Sequence, residues 1–255
     1  SLYGTLFSEK IGSFSYQAQW GRLKLEADSG ISRFVQEFLP MNIHDIETAD
    51  MYGAGLEWVP VPPFDGLRLR VTWNAWAMDF DAATNSHPIW QLQGVPVGVP
   101  LTYHADFDVT TVSAEYRWQN LVLAAETFAP AGYANSLKSP LLGTLIDDAP
   151  DKVGYYGSAA YSITDWFELG LAYSEYYNNK HDKDGERLHA ERGYPKYNAW
   201  LKDWTVTTRF DIAESWVVKL EGHFMDGTDI MLSEDNPYGT EQNWFLFGAK
   251  VTYNF

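Results

Sequence analysis

The chain has 255 residues and a formal net charge of -16, which arises from 34 acidic and 18 basic side chains. This acidic balance argues against a nucleic-acid partner, because the phosphate backbone is bound by basic surfaces. No stretch approaches about 18 consecutive apolar residues, so a transmembrane helix is excluded. The absence of cysteine excludes a disulfide framework and thiolate metal sites. Aromatic residues make up 16 % of the chain, which fits ring belts at a membrane interface or a β-rich secreted domain.

Alternation of apolar and polar residues, the pattern typical of β-strands, recurs between turn signals along the whole chain. Helical periodicity is weak and occurs only at 31–39, inside a connection. About eleven segments carry the alternation, each near the length that a tilted strand needs to cross a bilayer. They lie at 2–7, 14–20, 51–60, 67–77, 107–118, 121–129, 153–162, 166–177, 201–212, 216–225 and 243–255.

The connections between these segments alternate between short and long. A compact soluble domain rarely carries several long unstructured loops, whereas tight turns on one side and long loops on the other are the rule in a transmembrane β-barrel. We therefore predict an all-β, antiparallel transmembrane barrel over 1–255, in preference to a soluble sandwich. The short connections are 8–13, 61–66, 119–120, 164–165 and 213–215, and the long ones lie near 21–50, 78–106, 130–152, 178–200 and 226–242.

The two faces of the predicted strands differ in charge. In 216–224 one face is apolar, whereas the other carries Lys219, Glu221 and His223. Because a sandwich also alternates, the stronger indication is that the polar face carries several charges per strand. Rings at the ends of the apolar face would form a girdle on the periplasmic side, and the candidates are Trp118, Trp166, Trp204, Trp216, Tyr253 and Phe255.

The number of segments is odd, whereas a single-chain bacterial barrel has an even number of strands and both termini in the periplasm. We therefore expect that an N-terminal part of the barrel precedes Ser1. The complete barrel would then have about twelve strands or more.

Three stretches resemble porin-like outer-membrane proteins of Gram-negative bacteria, which are related to the phosphate-selective porins. They are "SLYGTLFSEKIGSFSYQAQWG" (1–21), "ITDWFELGLAYSEYYNNKHDKDGERL" (163–188) and "VVKLEGHFMDGTDIMLSEDNPYGTEQNWFLFGAKVTYNF" (217–255). The resemblance implies a bacterial outer-membrane barrel of about sixteen strands, in contact with lipid and lipopolysaccharide. It also implies that Val251, Tyr253 and Phe255 form the signal read by the barrel-assembly machinery. Whether the barrel is a homotrimer stays open.

Residue patterns for catalysis or metal binding are weak. No G-x-S-x-G is present, and His223 is expected to be a hydrogen-bonded histidine rather than a catalytic one. We therefore expect no enzymatic activity and no cofactor. Acids in the connections are weak Ca²⁺ candidates without EF-hand spacing, and solvated acidic loops are the alternative. These are Asp226, Asp229, Glu234 and Asp235, with Asp79, Asp81 and Asn85 as a second group.

The charged face of the strands is the more informative candidate site. Opposed charges around a water-filled lumen would screen solutes by charge and size, although many of them could simply pair across strands and stabilise the wall. We predict a porin for small hydrophilic solutes or ions; the alternatives are a plugged barrel that serves as a scaffold for a protein partner and an extracellular carbohydrate-binding sandwich. The predicted pore-lining residues are Arg68, Arg70, Glu115, Arg117, Glu126, Glu168, Arg209, Asp211, Lys219, Glu221, His223 and Lys250.

Overall fold

The chain forms one large antiparallel sheet. The structure, a computed structural model, describes residues 1–48, 50–231, 236 and 238–254, without the side chains of 37–38 and 129–132. Its helices are α1 (Gly30–Phe38), α2 (Pro88–Leu92) and α3 (Glu186–Arg192), with a 3-10 turn at Lys196–Ala199. Its strands are β1 (Leu2–Ser8), β2 (Gly12–Arg22), β3 (Met41–Thr48), β4 (Asp50–Val59), β5 (Leu67–Thr84), β6 (Pro100–Trp118), β7 (Leu121–Ser139), β8 (Gly143–Asp148), β9 (Val153–Thr164), β10 (Phe167–Tyr177), β11 (Trp200–Ala213), β12 (Trp216–Gly227) and β13 (Asn243–Tyr253).

The strands follow one another as a meander. The hydrogen-bonded path runs β1-β2-β4-β5-β6-β7-β9-β10-β11-β12-β13, while β3 pairs with β5 and β8 pairs with β7. Each of the eleven predicted segments overlaps one strand of this path. Among the described residues β1 pairs only with β2 and β13 only with β12, so closure into a barrel stays a prediction.

Local sequence accounts for where the elements begin and end. Ser29 caps α1, since its hydroxyl accepts a hydrogen bond from the Ser32 amide at 3.4 Å. The helix ends at Phe38, because the next residue, Leu39, takes an extended conformation before Pro40, as residues before proline commonly do. The two-residue turn between β6 and β7 places Gln119 at a φ of 52°, the left-handed region that such tight hairpins require. The helix α1 confirms the helical periodicity predicted at 31–39.

Several strands continue into stretches that were predicted as connections. The prediction for 78–106 was wrong, because β5 runs to Thr84 and β6 starts at Pro100. Asp79 and Asp81 therefore lie in a strand rather than in a calcium-binding loop. In the same way β3 occupies part of 21–50, while β7 and β8 occupy much of 130–152.

The physical reason is that the polarity of the two faces inverts along β5 and β6. From Leu67 to Trp73 the apolar residues of β5 share a face with Val112 and Ala114 of β6. Beyond Ala75 that same face carries acids, whereas the opposite face becomes apolar from Trp76 onward. The alternation continues, but the apolar residues now lie on the other face. A prediction that requires the same face to stay apolar therefore places the end of the strand too early.

The hydrophobic core lies on the face that becomes apolar. Phe80 and Leu101, on adjacent strands, are almost fully buried there together with Met41 of β3. Val35 of α1 and Trp90 of α2 pack into the same cluster, and the Trp90 indole donates a hydrogen bond to the Pro40 carbonyl. Segments between the strands thus fold onto one end of the sheet and bury its inverted face.

Over the rest of the sheet, large apolar side chains are exposed on the opposite face. Register places these residues together, because directly opposed residues of antiparallel strands share a face. None of the helices among the described residues has the length and apolar character that crossing a bilayer requires. Examples of the exposed apolar face, here called the outward face, are Trp20, Tyr52, Leu56, Val71, Val112, Tyr161, Leu169, Leu171, Val206, Phe224, Phe245, Phe247 and Val251.

The rings of the outward face lie near both ends of the strands. Trp216 contacts Tyr253 beside the short turn 213–215, with ring centroids 4.8 Å apart, as predicted for a girdle at that end. Trp204 was placed wrongly, since it lies near the start of β11, toward the long connections, where its ring contacts the tilted ring of Tyr173 at 4.5 Å between centroids. The error arose because β11 begins after a long connection and only ends at a short turn.

The core gives a test of the fold. Phe80→Ala removes a side chain that is 0 % exposed, so we expect a loss of unfolding free energy of about 3–5 kcal/mol from lost contacts and the remaining cavity. Phe64→Ala is the control, because Phe64 is 61 % exposed and surface substitutions usually change stability by less than about 0.5 kcal/mol. Guanidinium unfolding in detergent micelles measures both, and equal losses would contradict the core described above.

Candidate functional site

All twelve predicted pore-lining residues lie on one face of the sheet, opposite the outward face. The register connects them strand by strand: Arg68 opposes Glu115, Glu168 opposes Arg209, and Arg209 in turn opposes Lys219. Pairing of β7 with β6 and β9 places Glu126 on the same side. We call this the inner face. Its role as the lining of a pore stays a prediction.

Many charges of the inner face are paired. Arg117 binds Glu115 at 2.8 Å along β6, and Arg68 lies 3.6 Å from Glu57 of β4. Arg209 holds Asp211 through both its Nε and an Nη, at 3.0 and 2.8 Å. Such bidentate pairs fix side-chain orientation. These pairs fix the orientation of the charged side chains and leave fewer unpaired charges on the inner face.

A row of basic residues crosses the last three strands. Arg209, Lys219 and Lys250 occupy directly opposed positions on β11, β12 and β13. Among the described residues neither lysine takes part in an ion pair, whereas Arg209 is neutralised by Asp211. Like charges in opposed positions repel each other, so this row favours an anion or water between the lysines.

His223 is hydrogen-bonded, as predicted. Its Nδ1 lies 2.8 Å from an oxygen of Asp203 and 3.2 Å from the hydroxyl of Thr205. Its Nε2 faces Glu221 at 3.8 Å, and the Thr205 hydroxyl lies at the same ring nitrogen that Asp203 contacts. The ring is therefore not placed between a carboxylate and a hydroxyl, as it is in a nucleophile–base–orienter arrangement. The arrangement orders three polar side chains of the inner face without forming a nucleophilic constellation.

The residues of the predicted assembly signal and the weak Ca²⁺ candidates are only partly described. Val251 and Tyr253 lie on the outward face and are exposed, while Phe255 lies outside the described residues, as do Glu234 and Asp235. Asp226 accepts a hydrogen bond from Gln242 at 2.9 Å. Across the described part of the chain, no three His, Asp or Glu side chains come together in a way that could hold a metal ion.

A cavity of about 600 Å³ opens beside the core, at the end of the sheet where the long connections lie. Its walls come from α1, from β6, β7, β8 and β10, and from the segments just before β9, just after β10 and just after β12. We call it the mouth cavity. The residues that define its chemistry are Phe34, Tyr133, Tyr176, Asn178, Lys152 and Asp229.

Two charged groups of opposite sign are partly buried in the mouth cavity. Burial lowers the pKa of Lys152, whose Nζ lies 4.3 Å above the centre of the Tyr133 ring. Burial also raises the pKa of Asp229 from 3.8 to about 7, and the nearby Lys152 offsets this only in part. Sequence reasoning missed Lys152 altogether, because nothing in the periodicity of 130–152 distinguishes it from other polar residues of a connection.

A second cluster that sequence reasoning missed lies on the outward face. The hydroxyls of Tyr155, Tyr173 and Tyr177 all donate to the carboxylate of Glu175, at 2.5, 2.5 and 2.7 Å. Lys183 stands 4.7 Å above the Tyr177 ring. The cluster combines rings with polar groups at the end of the apolar surface. Tyr173, Glu175 and Tyr177 alternate along β10 and share one face, which the sequence alone could have indicated, whereas no motif connects them to Tyr155 of β9 or to Lys183.

The raised pKa of Asp229 predicts a dependence of stability on pH. The folded protein binds this proton more tightly than the unfolded chain, so the stabilisation is complete below about pH 4 and is lost as pH rises through about 7. Asp229→Asn cannot ionise. We therefore expect the thermal midpoint of the variant to gain on that of the wild type between about pH 5 and pH 8.

The control for this experiment is Asp165→Asn, in the exposed turn between β9 and β10. Its difference from the wild type should stay constant over the same pH range. If both variants behave alike, the burial of the Asp229 carboxyl is wrong.

Comparisons with known proteins find similar chains among solved structures. No protein-family profile matches the chain, and no curated protein matches it. Among solved structures, the chain is similar to OmpTdeltaL8, a loop L8 deletion mutant of OmpT, an outer membrane protein of Vibrio cholerae. The identity is 13 %, the match covers 95 % of this chain and 76 % of the other, and the TM-score is 0.43. The resemblance to porin-like proteins noted from the sequence therefore stays a prediction.

Proposed function

We propose that this chain forms the wall of a bacterial outer-membrane β-barrel through which small hydrophilic solutes or ions diffuse. The observation that carries this proposal is the contrast between the two faces of one continuous sheet. Large apolar side chains such as Phe247 and Val251, each 61 % exposed, cover the outward face, whereas the inner face carries the charges. Closure into a barrel of about twelve or more strands is part of the proposal, because open edges are not stable in lipid.

A lipid bilayer explains the outward face better than water does. Soluble monomers rarely expose contiguous apolar patches larger than a few hundred Å², yet this surface continues from β2 to β13. Its boundary is visible at Trp73, whose indole donates to Asp108 at 2.7 Å where the face turns acidic. A ring with its polar edge toward charged groups is the arrangement expected at a membrane interface.

The inner face supports passage without chemistry. Charges of both signs line it, and they would impose an electric field on solutes that move down their gradient. The core at one end places α1 and α2 over the sheet, so the connections would narrow the opening there. The proposed channel needs no reaction and no cofactor. The proposal also includes the partners of such a barrel. These are the surrounding lipid and lipopolysaccharide, the barrel-assembly machinery, and further copies of the chain in a homotrimer.

One observation favours the second candidate, a plugged barrel that acts as a scaffold. The core of Val35, Phe80 and Trp90 covers part of the inner face at the mouth. If the covered area spanned the whole opening in the closed barrel, solutes could not pass. Conductance separates the two candidates.

For the channel we expect stepwise conductance in planar lipid bilayers. Lys219→Glu should shift the reversal potential toward cation selectivity, because it adds an acid to a wall position where Lys219 has no ion-pair partner among the described residues. Lys10→Glu, in the exposed turn between β1 and β2, is the control and should leave the reversal potential nearly unchanged.

Absence of conductance from folded, inserted protein would reject the channel in favour of the plugged barrel. Conductance with no difference between the two lysine variants would instead reject the assignment of Lys219 to the lumen.

The outward face gives a test of membrane insertion. Val206 is 41 % exposed on that face, and Thr207 follows it on the inner face. In a bilayer we expect Val206→Arg to cost about 2–4 kcal/mol near the midplane. Thr207→Arg is the matched control and should cost far less, since it faces the lumen. Guanidinium unfolding from lipid vesicles measures both variants, and an equal tolerance of arginine would indicate that water bathes the two faces.

A further inference from the structure

The mouth cavity holds an unusual pair of charges. Lys152 and Asp229 both face the same volume, and neither forms an ion pair or a side-chain hydrogen bond with a described residue. Each lies partly out of water. A charge that is desolvated and not paired is costly. A ligand that brings a complementary charge to each of them would offset that cost.

The remaining walls select for an apolar group. Phe34 of α1, Tyr133 of β7 and Tyr176 of β10 surround the volume, and Val35 and Leu39 add aliphatic surface. Pockets that bind small molecules are mostly apolar with a few polar groups that fix orientation. The side-chain amides of Asn135 and Asn178 can accept or donate hydrogen bonds beside the charges.

We propose that the mouth cavity binds a small zwitterionic solute with an apolar group, of the amino-acid class. Lys152 binds the carboxylate of the solute, Asp229 binds its ammonium group, and the rings take its side chain. The inference deepens the proposed function and rests on it, because the bound solute would be one that enters the channel at this end. Binding itself can be measured without any transport.

Other ligand classes fit the cavity less well. A neutral sugar would leave both charges unpaired. An inorganic anion would satisfy Lys152 but place a second negative charge near Asp229 and Asp148. A simple cation would satisfy Asp229 and repel Lys152. Only a molecule with both charges compensates both groups.

The test is isothermal titration calorimetry on folded protein in detergent, at about pH 8, where Asp229 is mostly ionised. Phenylalanine should bind. N-acetyl-phenylalanine, which lacks the cation, and phenethylamine, which lacks the anion but stays protonated at this pH, should each bind about tenfold or more weakly, since each loses a charge-assisted contact. Glucose and inorganic phosphate should bind more weakly than phenylalanine. Because these comparisons use the wild-type protein, they do not depend on the folding of any variant.

Two variants locate the site. Lys152→Met and Asp229→Asn should each weaken phenylalanine binding about tenfold or more, and neither substitution should increase the affinity for any of the other ligands. Lys10→Met and Asp165→Asn, which remove the same charges from exposed turns, should bind as the wild type does. Phosphate or glucose binding as tight as that of phenylalanine, or equal affinities of all four variants, would overturn the proposal.

Conductance measured on the same preparations distinguishes the two proposals. Conductance without phenylalanine binding rejects the zwitterion site and leaves the channel in place. Phenylalanine binding without conductance leaves the site in place and rejects the channel.

Discussion

Register between neighbouring strands is the constraint on which the rest of this structure depends. Side chains alternate between two faces, so a slip of one residue would exchange the faces of a strand completely. The pairing continues without exchange of faces from β2 to β13, which places Val71, Val206 and Val251 on one side and Arg70, Arg209 and Lys250 on the other. Charges from strands that are far apart in sequence become one surface through this pairing alone.

The same alternation explains both what the sequence could predict and where it failed. Period-2 segments with a constant apolar face were found because the pattern is local. The extensions 78–84 and 100–106 were missed, because there the apolar residues change faces and the acids of Asp79 and Asp81 look like loop residues. The sequence also misplaced Trp204 at the short-turn end of its strand, since an aromatic residue near a strand end does not indicate which end of the strand it occupies.

The mouth cavity could not be predicted for a different reason. Its groups come from α1, four strands and three connections that are far apart in sequence, and no spacing relates Lys152 to Asp229. Periodicity predicts which face of a strand a residue occupies, but it does not predict which segments fold over that face. The inner-face charges were therefore accessible to sequence reasoning, whereas the pair in the cavity required coordinates.

Core and cavity share their supports, and this gives the mouth its form. Val35 is buried in the core on the inverted face, and Val35, Phe34 and Leu39 of the same helical segment also border the cavity. Tyr103 likewise belongs to the core and to the cavity wall. A cavity that holds two unpaired charges needs rigid walls, because a mobile connection would move to let the charges pair with each other or with water. The inverted face fixes α1 by apolar burial, and residues of that helix form one wall of the volume that Lys152 and Asp229 face.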